Sequence, residues 1–396
     1  MSKDESRNKF FGNIWKFYIF IFIFGIHTVR GVYFPYMTVW GGLTFFEMML
    51  LQSYFMFMIF ILEIPSGAIA DYLSRKTALI LSALFVVLAA FTYSIYPNIF
   101  LFFLAETFWA LSIALHSGTD EAFIYSTLKT TGEEDKLTKV LGRTRLLHII
   151  ANIISAPLGS IIAGFVSLQF TMTCLGLIYI GAFVTSFTFK EPKIEREEKV
   201  KRYLTILKDG FNELRKNKIL RILCFDRLFI QIFIHLLFWT YQPYLTVVNL
   251  PIVLFGFILA AMNIFNAIFN ILIPKFLEKV SEKKTILITV NIISGFAFII
   301  LGFAVIPIVG ILMLFLIVSF GYTRELIYIN GINQQIESEN RATVLSTINM
   351  FGSISMAILY PFIGLLVEWN LFIMFIIIGI MILILTAFTR VKSEYL

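Results

Sequence analysis

The chain is built almost entirely from apolar runs about as long as a bilayer is thick, and this limits its fold more than any other feature of the sequence. A helix needs roughly 20 apolar residues to cross about 30 Å of hydrocarbon. Between charged or turn-forming breaks, such runs fall at about 14–38, 46–69, 77–95, 98–122, 146–167, 170–189, 220–245, 252–274, 285–305, 307–328, 343–367 and 370–389. Of 396 residues, 59% are hydrophobic and 14% charged, more apolar surface than a water-soluble core needs. Lipid tolerates no unpaired backbone, and the ten-residue alternation of a membrane barrel is missing, so the runs predict helices. The expected class is an all-α polytopic membrane protein with about twelve transmembrane helices. The first run follows Lys3, Arg7, Lys9 and Lys16 without a small-residue cleavage pattern, and reads as a membrane helix rather than a removed signal. Cys174 and Cys224 lie inside runs with no metal or redox spacing and read as core fillers.

Charge gives the chain a direction. The breaks near 39–45, 96–98, 168–169, 246–251 and 306–307 and the turn Glu368–Asn370 contain no Lys or Arg. The basic residues fall on the other side: in the N-terminal tail, at Arg75–Lys76, from Lys129 to Arg145, from Lys190 to Lys218, from Lys275 to Lys284, at Arg341, and at Arg390 and Lys392. This one-sidedness predicts an even number of crossings with both termini cytoplasmic in a plasma membrane. The net charge of +7 then sits beside anionic lipid, and nucleic acid is not an expected partner.

Lys190 to Lys218 is the one long polar stretch, and it separates six runs from six. The expected organisation is a bundle at 1–189, a cytoplasmic linker at 190–218 and a second bundle at 219–396. Within the linker, Val200, Tyr203, Leu204, Leu207, Phe211 and Leu214 follow helical spacing, which fits either an amphipathic surface helix or a simple tether. The halves also echo each other. Thr119-Asp120-Glu121 parallels Thr323-Arg324-Glu325 at an offset of 204, and Arg75-Lys76-Thr77 parallels Lys283-Lys284-Thr285 at an offset of 208. A duplicated six-helix unit is expected, with a binding site near its pseudo-symmetry axis.

At the end of the second run stands Glu63-Ile64-Pro65-Ser66-Gly67-Ala68-Ile69-Ala70-Asp71-Tyr72-Leu73-Ser74-Arg75-Lys76. Together with the six-plus-six layout, this resembles the signature loop of the major facilitator superfamily, Gly67, Asp71, Arg75 and Lys76 matching while Tyr72 and Ser74 depart from it. The resemblance implies two pseudo-symmetric six-helix bundles, no cofactor, and a conformational latch at those four positions. Physically, Gly67 permits close helix approach, Asp71 offers an anion to a helix N-terminus or an arginine, and Arg75 and Lys76 reach lipid head groups. Arg75 and Lys76 also fit a plain solvated turn. Ala156-Pro157-Leu158-Gly159-Ser160 in the fifth run is similar to an element of proton antiporters in the family, with only the proline in register.

Ionisable groups at membrane depth are costly and therefore functional candidates. Arg30 lies in the outer half of span one, and Glu106 roughly 10 Å into span four at about 1.5 Å per residue. The resemblance implies that spans one, four, seven and ten line the pathway, and an Arg30–Glu106 ion pair disturbed by substrate or proton is expected. A carboxylate in low dielectric favours its neutral form alone and its charged form beside an arginine, so partner exchange would couple protonation to opening. A permanent structural pair is the alternative. His27, one turn before Arg30, reads as a titrating group or a core hydrogen-bonder. A second set comprises Asp120, Glu121, Asp226, Arg227, Arg324 and Glu325, expected to form ion pairs that close an inner gate. Arg143 and Arg341 open spans five and eleven as partners for these acids or as anchors. Asn263, Asn266 and Asn270 share one helix face, as lining or as interhelical glue.

The function expected is secondary transport of a small molecule by alternating access, with proton-coupled efflux of an amphiphile ahead of uptake by symport or facilitated diffusion. The 16% aromatic content and 13 Met suit an adaptable apolar cavity. No phosphate-binding glycine loop argues for ATP drive. An intramembrane enzyme is disfavoured because His27, His116, His148 and His235 lie on separate spans, and a receptor would not need deep Arg30 and Glu106. A monomer in a bacterial inner membrane is expected.

Overall fold

The computed structural model describes residues 3–72, 74–192, 203–277, 282–336 and 341–396, and within them the regular structure is helical. The helices are α1 (Lys3–Gly25), α2 (Tyr33–Pro35) running into a π turn Tyr36–Trp40, α3 (Phe45–Tyr72), α4 (Arg75–Ile95), α5 (Ile99–His116), α6 (Thr119–Thr131), α7 (Leu137–Phe165) and α8 (Leu168–Phe187). They continue as α9 (Tyr203–Lys216), α10 (Lys218–Val247), α11 (Val253–Leu277), α12 (Lys283–Leu301), α13 (Pro307–Gln334) and α14 (Arg341–Ala387). Local chemistry sets many starts. Side chains of Ser74, Asn98, Ser167 and Asn217 accept hydrogen bonds from amides of the first turns of α4, α5, α8 and α10, as N-caps do.

Eleven helical segments of the described residues are long and apolar enough to span a bilayer. The last, Val344–Ala387, has 44 residues and would reach about 66 Å, twice the hydrocarbon thickness. It turns back at Asn370, whose backbone leaves the helical region (φ −165°, ψ 109°) and whose Oδ1 accepts from the Ile373 amide to restart the helix. The twelve crossings expected from the sequence are thereby accounted for.

The chain divides into two compact units, one of residues 1–43 and 51–200, the other of 44–50 and 201–396. In the first, Phe17, Phe20, Leu79, Phe123, Leu128 and Phe189 form a buried core joining α1, α4 and α6. In the second, Leu220, Leu223, Leu287, Ile327, Ile332 and Val344 do the same for α10, α12, α13 and α14. The outer surfaces are apolar too, with Phe100, Phe165 and Phe388 nearly four-fifths exposed, as a lipid solvent allows. The linker stripe does form a helix, α9, which packs on α14 and α10 with the Phe211 ring 6.3 Å from that of Phe351. Val200 lies outside the described residues. At the linker's start, Asn13 exchanges two hydrogen bonds with the Lys190 backbone, 2.8 and 3.0 Å.

Two spans depart from the continuous helices expected. Span one breaks after Gly25 and resumes at Arg30, and span four breaks at Ser117–Gly118, where Gly118 adopts φ +75°, a conformation suited to glycine.

Candidate functional site

The break in span one frees backbone groups at membrane depth, where each must find a partner. Span five provides one of them. The His27 amide donates to Ser155 Oγ (3.0 Å), and Gly159 brings the α7 backbone so close that a Cβ there would lie 1.5 Å from the Thr28 carbonyl oxygen. Thr28 Oγ1 donates to the Thr171 carbonyl (2.8 Å). Small residues around Pro157 thus serve as the seat of a discontinuous helix.

Immediately after the break, Arg30 donates to Asn152 Oδ1 (2.7 Å), while the Asn152 amide donates to the His148 carbonyl (2.9 Å). Aromatic rings enclose the same region: His27 lies 5.2 Å from Trp109, Trp109 6.3 Å from Tyr179, and His116 stacks on Phe24 at 4.7 Å.

Glu106 is buried on α5 and does not pair with Arg30, contrary to expectation. Its Oε1 instead accepts from Tyr93 (2.5 Å), Gln52 Nε2 (2.8 Å) and Tyr33 (3.2 Å), with Gln52 also donating to the Tyr33 hydroxyl (2.9 Å). Tyr36 extends the cluster by donating to the Tyr93 carbonyl (2.8 Å). The physical reason is proximity: phenols from spans one and three and an amide from span two converge on the carboxylate, whereas Arg30 is held by α7. All three donors meet one oxygen, and Oε2 makes no hydrogen bond among the described residues. Gln52, Tyr33 and Tyr93 were not picked out from the sequence because, uncharged, they look like ordinary span residues.

The inner charges form ion pairs within each unit. In the second, Arg227 forms a two-pronged pair with Glu325, and the fully buried Arg324 lies 3.4 Å from Asp226. Arg324 also donates to the Arg227 carbonyl (3.1 Å), and Asp226 accepts from Tyr328 and from Thr389 (2.5 Å). In the first unit, Asp120 lies 3.8 Å from His116, and Glu121 pairs at 3.3 Å with Arg145. Asp120 and Glu121 open α6, where the helix dipole favours acids. Arg143 is exposed and has no side-chain pair among the described residues, which suits an anchor. The side chains of Gly67, Asp71 and Arg341 lie outside the described residues.

At the signature loop, the anion at the N-terminus of α4 is Glu191, whose carboxylate accepts from the Arg75 (3.1 Å) and Lys76 (2.7 Å) amides. The Arg75 guanidinium donates to the Ala122 carbonyl on α6 (2.5 Å), tying the loop to the segment beyond the Gly118 break. On α11, Asn270 donates to Asn266 Oδ1 (3.3 Å), an intrahelical contact.

No curated protein matches the sequence. Among solved structures, the fold is similar to that of the nucleoside transporter NupG, with a TM-score of 0.80 at 14% identity over 96% of this chain and 97% of that one. It is similar also to a mutant of the peptide transporter POT (TM-score 0.74, 14% identity, 98% and 97% covered) and to a D-xylose-proton symporter (0.70, 11%, 97% and 98%). The sequence profile of the Major Facilitator Superfamily matches residues 17–332, so that, with twelve crossings in two units, the chain belongs to the major facilitator superfamily of transporters.

Proposed function

We propose that this transporter moves a small polar solute across a bacterial plasma membrane by alternating access, coupled to protons through Glu106. The observation that carries the reading is a buried carboxylate held by one oxygen, with three neutral donors and no cation among the described residues. Such a group gains or loses a proton without dissolving an ion pair, and its hydroxyl and amide partners can follow the change. The polar groups at the span-one break, Arg30, His27, Asn152 and Ser155, favour a substrate that offers hydrogen-bond acceptors, and a proton symporter among proteins of similar fold supports uptake. Export of an amphiphile is the second reading, favoured by the rings of Phe24, Trp109 and Tyr179 beside those polar groups. Arg75 and Lys76, with Gly67 and Asp71, act in this reading as a latch, and the charge bias supports a cytoplasmic basic face with both termini there. The unit is a monomer.

Proteoliposomes containing a pH-sensitive dye test the proposal. Cationic, neutral and anionic solutes are presented against an imposed gradient, and one class is expected to move protons. Glu106→Gln keeps an oxygen where Oε1 stands and removes the charge, so solute exchange should persist while proton movement stops. Full proton coupling in that variant would refute the role of Glu106.

A further inference from the structure

We propose that the crevice between the start of α10 and the end of α14 is a binding site for an anionic phospholipid. Arg221, Ile222, Phe225, Phe229, Phe388 and Arg390 line it together with Asp226, and it encloses about 310 Å³. Two features point to this occupant. Its polar end carries two exposed arginines, one at the beginning of span seven and one just beyond span twelve, on the basic membrane face where one leaflet's head groups lie. Its walls are phenylalanines open to the outside, Phe225 and Phe229 about half exposed and Phe388 nearly four-fifths. A soluble anion would gain nothing from those rings, and a neutral lipid nothing from two guanidiniums, whereas a phosphodiester with an acyl chain satisfies both.

The arginines are available. The Arg390 side chain makes no hydrogen bond or ion pair among the described residues, and the Arg221 guanidinium makes one, from Nη1 to the Arg215 carbonyl (3.1 Å), which leaves most of its fork for a phosphate. The one acid in the lining does not cancel them, because the Asp226 carboxylate is already taken by Arg324, Tyr328 and Thr389. Thr389 adjoins Arg390, so a head group held by both arginines would brace the end of span twelve against the buried Asp226–Arg324 pair.

Native mass spectrometry of the detergent-purified full chain, titrated with phosphatidylglycerol, tests the site. Wild type should retain one lipid well before further adducts appear. The R221Q/R390Q double variant should bind it roughly 25-fold more weakly, at about fivefold per arginine near a membrane surface. A second pair, K129Q/K139Q, removes the same charge from exposed positions of the first unit and should leave the affinity unchanged. Phosphatidylcholine should bind more weakly than phosphatidylglycerol, and excess inorganic phosphate should not displace the lipid. Wild-type affinity in R221Q/R390Q, an equal loss in K129Q/K139Q, or displacement by phosphate would each overturn the proposal. Because the four substituted residues are exposed, size-exclusion profiles should match wild type, and loss of binding then reports the crevice itself.

Discussion

Gly159→Ala should be far more damaging than a glycine-to-alanine change in a membrane helix ordinarily is. An added Cβ would lie 1.5 Å from the Thr28 carbonyl oxygen and 2.5 Å from its carbon, both backbone atoms that no rotamer change can move. Restoring ordinary contact requires α7 and the 26–29 segment to part by about 2 Å. Ser155 lies one turn before Gly159 on the same helix, so the 3.0 Å bond from the His27 amide would stretch beyond hydrogen-bonding reach. Overpacking costs about 1–3 kcal/mol and an orphaned buried amide about 1–3 kcal/mol, which together predict a loss of about 2–6 kcal/mol. Gly142→Ala provides the control: it lies in the same helix with nothing within 4 Å of its added Cβ, and should be neutral or gain about 0.5–1 kcal/mol of helix propensity. Thermal unfolding of both variants in detergent, followed by tryptophan fluorescence, separates the cases. Equal melting temperatures for the two would refute the reasoning that the break in span one rests on close backbone contact.

Three further outcomes follow from the same geometry. Ser155→Ala leaves the His27 amide without its acceptor while adding no bulk, and should cost about 1–3 kcal/mol in the same melting assay. Glu106→Ala strips the acceptor from Tyr93, Gln52 and Tyr33 and should be clearly less stable than Glu106→Gln, which retains one; equal stability would mean the three bonds contribute little. Asp226→Leu abandons the buried Arg324 guanidinium and should cost about 3–5 kcal/mol, whereas Asp226→Leu with Arg324→Met should recover much of the loss, which a double-mutant cycle measures.

The amino-acid sequence determined the twelve crossings and the helical class, because the need for about 20 apolar residues and a self-satisfied backbone is imposed by the bilayer on each segment alone. The turn at Glu368–Asn370 was legible for the same reason, being set by residues adjacent in the chain, whereas the spacing of Tyr203, Leu207 and Leu214 left a linker helix and a simple tether both open until the fold showed the helix packed on α10 and α14. Arg30 and Glu106 stood out because charge in lipid is rare, yet their pairing was misread, since reach between spans depends on helix rotation that periodicity does not fix. The tertiary structure decided that span one breaks at residues 26–29, since Ser155, which accepts from the His27 amide 128 positions away, and Gly159, which lets the backbones meet, come from span five. It decided likewise that Tyr33, Gln52 and Tyr93 hold Glu106, and that Asp226 and Arg227 close on Arg324 and Glu325 within one unit. A carboxylate takes the donors that packing brings to it, and only the folded bundle brings those donors together.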